Sequence, residues 1–220
     1  MAEPFDLELD GWHLKVRVPE APGPHPVIFL NHGWTGDERS MWVFAAQMPK
    51  DALLVVPRAL YPSTSDVHGG YSWVENRTDG WSAYADFAPA KAAFVALLAR
   101  LPQELDSDFS RFALVGFSQG AAFNYALALE HPQRVERLAA LAGFAPDGSL
   151  DVAQPAPLAN VPVFIAHGAQ DDTVPIDRAH TAAEIMQLAG ANVHYCESDV
   201  GHKLGANCFS ELRSFFQTTF

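Results

Sequence analysis

The sequence predicts an α/β fold: a mostly parallel central sheet, helices on both of its faces, and a β-hairpin at the N-terminus. Three observations carry that expectation. Short, continuously apolar runs recur with the length of strands buried on both faces. Stretches of helical period alternate with them, the order that builds a parallel sheet. The first eighteen residues instead alternate apolar and polar about an Asp-Gly pair, a hairpin signal.

Taken in order, residues 5–18 (FDLELDGWHLKVRV) set Leu7 and Leu9 among acids, then Leu14, Val16 and Val18 against His13, Lys15 and Arg17. Residues 19–26 hold four prolines and one glycine and read as a loop. Residues 27–31 (VIFLN) and 52–56 (ALLVV) read as buried strands. Residues 58–82 show no period and are rich in Gly, Ser, Tyr and Trp; a loop of that length in a small domain commonly covers a site. Helical spacing over 83–101 places Phe87, Ala90, Phe94, Leu97, Leu98 and Leu101 on one side. Strands follow at 111–116, 138–141, 161–166 and 193–197, and helices at 119–130, 175–189 and 203–220. With no repeat, charge tract or linker, residues 1–220 are expected to form one domain.

The composition narrows function. Fourteen Lys and Arg stand against 26 Asp and Glu, a net charge of −12 that opposes nucleic acid and anionic lipid as partners. No run approaches the roughly 18 apolar residues of a membrane span. The first residues carry acids rather than the basic start and apolar run of a signal peptide. Cys196 and Cys208 fit two unbridged thiols in a reducing compartment, with a bridge closing a short loop as the alternative. A cytoplasmic protein is expected.

The chemistry concentrates in Gly116-Phe117-Ser118-Gln119-Gly120, which follows an apolar run and opens an Ala-rich helix. Gly-x-Ser-x-Gly between strand and helix is the pattern of a nucleophile elbow. The tight turn excludes flanking side chains, and the serine stands at a helix N-terminus, where developing negative charge is favoured. The alternative for the bare pattern is a glycine turn with a capping serine. A serine hydroxyl needs a base, and the base an orienting acid. Asp171 follows the strand VPVFIA and its His167-Gly168; His202 follows the last strand, after Gly201. Only one of the adjacent Asp171 and Asp172 can face the base, and Asp171 is nearer the strand end. The N–H groups of Gln119 and of Trp34, in the loop after VIFLN, are candidate oxyanion donors.

Of the other histidines, His32 and His167 sit in His-Gly pairs after strands and are expected to bond loop backbone near the site. His68 lies in the long loop, where it would reach substrate or solvent. His13, His25, His131, His180 and His194 read as surface or partly packed. No HExxH or CxxC spacing occurs, so no metal and no cofactor are expected. Tyr71, Trp73, Trp81, Phe117 and Phe144 are candidate walls of an apolar acyl pocket, with core packing as the alternative for each.

The segments VIFLNHGWTGDE, GGYSW, VGFSQGA, FIAHGAQDDTVP and VGHKLG, in that order, resemble the phospholipase/carboxylesterase family of α/β-hydrolases, which includes acyl-protein thioesterases. The resemblance implies the α/β-hydrolase fold, Ser118 as nucleophile, Asp171 as acid, His202 as base, and oxyanion donors from Trp34 and Gln119. It implies a small-molecule ester as substrate, with thioesterase or lysophospholipase activity as the alternative. The family commonly has a small or aliphatic residue where this chain has Trp34. A silent, ligand-binding member of the fold would lack part of the triad, and no part is missing.

Overall fold

A computed structural model describes residues 3–65, 69–75 and 80–217. The apolar runs form the expected strands. In chain order the elements are β1 (Phe5–Leu9), β2 (Trp12–Arg17), β3 (Val27–Asn31), α1 (Trp42–Ala45) and β4 (Leu53–Pro57). Next come β5 (Tyr61–Pro62), β6 (Tyr71–Ser72), α2 (Ala88–Arg100), β7 (Phe112–Phe117) and α3 (Gln119–Glu130). β8 (Val135–Leu141), α4 (Ser149–Val152), β9 (Pro162–Gly168), α5 (Ile176–Leu188), β10 (Asn192–Ser198) and α6 (Ala206–Gln217) complete the order.

Eight strands make one sheet in the order β1-β2-β4-β3-β7-β8-β9-β10. β2 pairs antiparallel with β1 and with β4, and every later neighbour is parallel. The hairpin turn has positive φ at both Asp10 and Gly11, the backbone that a two-residue Asp-Gly loop favours. The long segment after β4 is not wholly irregular, since β5 and β6 pair across it.

Successive strand residues point to opposite faces, and both faces are covered. On one face Phe29, Leu114 and Ile165 pack with Phe94 of α2, Phe123 of α3 and Ile185 of α5. On the other, Ile28, Val115 and Phe164 pack with Phe44 of α1 and with Leu212 and Phe216 of α6. The central runs therefore read as continuously apolar because neither side of those strands meets water.

One expectation is corrected. Cys196 of β10 and Cys208 of α6 are not thiols but a disulfide, with Cα atoms 5.7 Å apart. The reason is the path of the chain: α6 turns straight back over the end of β10 and sets Cys208 against Cys196. A bridge is the habit of oxidising compartments, so the cysteines lend no support to a cytoplasmic location. Among the described residues no helix is long and apolar enough to cross a membrane.

Candidate active site

Parallel strands that end at one edge of a sheet bring their following loops together there. The loops after β3, β7, β9 and β10 meet in this way around a cavity of about 740 Å³. Ser118 joins β7 to α3 with φ 53° and ψ −117°, a backbone that non-glycine residues rarely adopt. Close packing around the turn holds it there. A Cβ on Gly116 would lie 2.5 Å from the Gly120 carbonyl oxygen, and one on Gly120 would lie 2.1 Å from that of Asn31. Both flanking positions therefore admit only glycine, and Ser118 projects into the cavity lining.

Asp171 and His202 meet from different loops. His202 Nδ1 lies 2.7 Å from Asp171 Oδ2. The other carboxylate oxygen, Oδ1, accepts the N–H groups of Thr173 and Val174 at 2.9 Å each. Asp171 is buried, whereas Asp172 is exposed. The His202 ring also packs on Phe117, with centroids 5.0 Å apart. His202 and Ser118 line the same cavity.

The two His-Gly histidines bond loop backbone as expected. Ala59 N–H donates to His32 Nε2 at 2.9 Å, so the proton sits on Nδ1, which donates to the Gly33 carbonyl at 2.7 Å. Burial pushes the His32 imidazole down to about 4, so it stays neutral. His167 Nε2 bonds the Val174 carbonyl at 2.8 Å, bracing the turn that carries Asp171, and burial lowers its pKa too.

The loop after β3 lies against the elbow: a Cβ on Gly33 would come 3.2 Å from Ser118 Cβ. Trp34 and Gln119 both line the cavity. The Gln119 side chain points the other way, accepting Trp73 N–H at 3.0 Å and bonding Ser72 Oγ. It thereby ties the start of α3 to the segment after β6.

Of the five aromatic candidates, Trp81, Phe117 and Phe144 line the cavity. Trp81 meets Phe144 edge-on at 4.6 Å, and the Arg178 guanidinium lies 4.6 Å over its ring. The other two are corrected. Trp73 is fully buried, stacks on Phe123 at 4.2 Å, and donates its indole N–H to the His32 carbonyl at 2.8 Å. It belongs to the core because the chain dives under the elbow there. Tyr71 does not line the cavity: Arg58 covers its ring and donates to its hydroxyl, while Glu38 clasps Arg58. His68 lies outside the described residues.

The sequence reading missed an apolar wall made by Met41, Val43 and Phe44 around α1, by Leu204 in the loop before α6 and by Phe209 in its first turn. Helix α1 spans four residues, too few for a period to emerge. Leu204 and Phe209 read as ordinary core positions of an amphipathic final helix. Among the described residues no group of three or more His, Cys, Asp and Glu side chains is placed to hold a metal.

Sheet order, strand–elbow–helix junction and strand-end loops together define an α/β-hydrolase. Solved structures share the fold. A carboxylesterase from Mesorhizobium loti matches with TM-score 0.80 at 21% identity, covering 97% of this chain and 99% of its own. A Bacillus cereus carboxylesterase matches with TM-score 0.80 at 19% identity, covering 94% of each chain. The sequence model of the Phospholipase/Carboxylesterase family matches residues 13–220, and the chain belongs to that family, whose members are hydrolases of ester or thioester type. Acyl-protein thioesterase 1 of Kluyveromyces lactis is 30% identical over 188 residues, 78% of this chain and 81% of that protein.

Proposed function

We propose that this chain is a serine esterase that cleaves small carboxylic esters through Ser118, His202 and Asp171. The observation that carries the reading is the 2.7 Å contact between His202 Nδ1 and Asp171 Oδ2, at the cavity that Ser118 also lines. An Nδ1–H donated to the carboxylate leaves the lone pair on Nε2 to act as base. Ser118 Oγ attacks the ester carbonyl carbon and its proton passes to His202 Nε2. The oxyanion accepts the N–H groups of Trp34 and Gln119 as the tetrahedral centre forms. His202 returns the proton to the leaving oxygen, the carbon–oxygen bond breaks, and the acyl group stays on Ser118. A water deprotonated by His202 then attacks the acyl-enzyme and releases the acid and Ser118.

The backbone N–H of residue 34 does not depend on its side chain, so Trp34 can serve as a donor despite its bulky indole. Trp81, Phe117 and Phe144 offer an apolar wall to the acyl group, each burying surface at roughly 25 cal/mol per Å². The same chemistry cleaves thioesters, and the likeness to a yeast acyl-protein thioesterase favours that as the second reading. Hydrolysis of 4-nitrophenyl butyrate tests the first. Ser118→Ala should lose on the order of 10⁴-fold or more in kcat with an unchanged circular dichroism spectrum; retention of a tenth of the rate would refute the assignment.

A further inference from the structure

The charge of the cavity lining runs against that of the chain. The sequence carries 26 acids and 14 Lys and Arg, yet among the described residues no Asp or Glu lines the cavity and one lysine, Lys203, does. The nearby acids are engaged elsewhere. Asp37 accepts hydrogen bonds from Ser40 Oγ and from the N–H groups of Arg39 and Ser40. Glu38 is clasped by Arg58, Asp147 by Arg178, and Asp171 by His202. Asp199 accepts from Gln170, and Asp172 is exposed and lies outside the lining. Among the described residues no carboxylate pairs with the Lys203 ammonium.

We propose that Lys203 selects esters whose alcohol portion carries an anionic group, a carboxylate or a phosphate. The inference rests on the hydrolase reading above. Its position fixes the side of the substrate: the base that receives the Ser118 proton must hand it to the leaving oxygen, so the leaving group lies beside His202. Lys203 follows His202 directly and is exposed at the cavity, whose lining also includes Leu204 and Phe209. An exposed ammonium at the cavity gives an anion a contact of the modest strength of surface ion pairs. The net negative charge of the chain repels anions at long range, so the selection is a short-range contact rather than steering.

The test compares kcat/KM for phenyl acetate, 3-acetoxybenzoate and 3-acetoxyphenyl phosphate in the wild type, Lys203→Gln and Lys203→Glu. Each variant is read as the ratio of anionic to neutral substrate, so a change in the amount of folded enzyme cancels. The ratio should fall about fivefold in Lys203→Gln, the upper range for a solvent-accessible ion pair, and further in Lys203→Glu. A fall confined to one of the two anions would support the proposal and identify the group. An unchanged ratio for both anions in both variants would overturn it. So would a larger response when the anion is on the acyl side, read from mono-4-nitrophenyl glutarate against 4-nitrophenyl pentanoate. Failure of the wild type to cleave any of these esters would instead overturn the hydrolase reading, and this inference with it.

Discussion

His202 Nδ1 meets Asp171 Oδ2 at 2.7 Å, while the opposite oxygen of Asp171 is fixed by two backbone N–H groups of its own turn. The carboxylate is held from both sides and cannot rotate away from the imidazole. Asp172, one residue on, has none of these contacts among the described residues and faces solvent.

Asp171→Asn should therefore cost on the order of 10⁴-fold in kcat, because an amide can hold the imidazole in the wrong tautomer. Asp172→Asn should leave kcat within about twofold, as surface changes away from special contacts do. Steady-state rates of the two variants on one ester check this. The reverse ranking would place the acid at 172.

Trp73 and Trp81 should separate stability from specificity. Trp73→Ala removes a fully buried ring stacked on Phe123 and should lower unfolding free energy by about 3–5 kcal/mol in urea titrations. Trp81→Ala removes a cavity wall and should shift the chain-length optimum of kcat/KM across acetate to dodecanoate esters, at about 1–3 kcal/mol per methylene. An altered optimum in Trp73→Ala with unaltered stability would contradict the placement of Trp73, and an unchanged optimum in Trp81→Ala that of Trp81.

These two tryptophans mark where the sequence stopped being legible. The strands were readable because apolar runs such as VIFLN bury both faces, and the serine turn because glycine is enforced on both sides of it. Asp171 and His202 were readable because the fold gathers strand ends. An aromatic residue in a long loop carries no such marker: Trp73 turns into the core and Trp81 into the cavity, and nothing near either one distinguishes them. The front of β8 was hidden by Glu136 and Arg137, whose charges mask a central strand; Arg137 reaches the Phe215 carbonyl instead of solvent. The helical pattern reads from residue 203, but residues before Ala206 form the loop that carries His202 and Lys203.

Stability should fall as pH drops from 7 to 5. His32 has its pKa lowered by burial from 6.5 to about 4, and His167 is lowered in the same direction. Between those values the unfolded chain binds a proton that the folded chain refuses, so the stabilisation is complete above 6.5 and is lost on the way down to about 4. For His32 alone the loss by pH 5 is about 2 kcal/mol. Urea midpoints at pH 7 and 5 measure it, ahead of most carboxylate titration. An unchanged midpoint would mean that His32 is not buried as a neutral ring.

The Cys196–Cys208 bridge encloses the loop that carries His202. The purified protein, denatured without reductant, should take up no iodoacetamide. Replacing both cysteines by alanine should lower unfolding free energy by about 3 kcal/mol, the scale for closing a loop of this length. Two alkylated thiols in the denatured, unreduced protein would restore the expectation of free cysteines.

Peptide-resolved mass spectrometry after treatment with a fluorophosphonate tests the central claim most directly, because that reagent needs an activated serine. One adduct on Ser118 in the wild type, absent in Ser118→Ala and strongly slowed in His202→Ala, is the expected result. An adduct on another serine, or labelling of Ser118 that is indifferent to loss of His202, would contradict it.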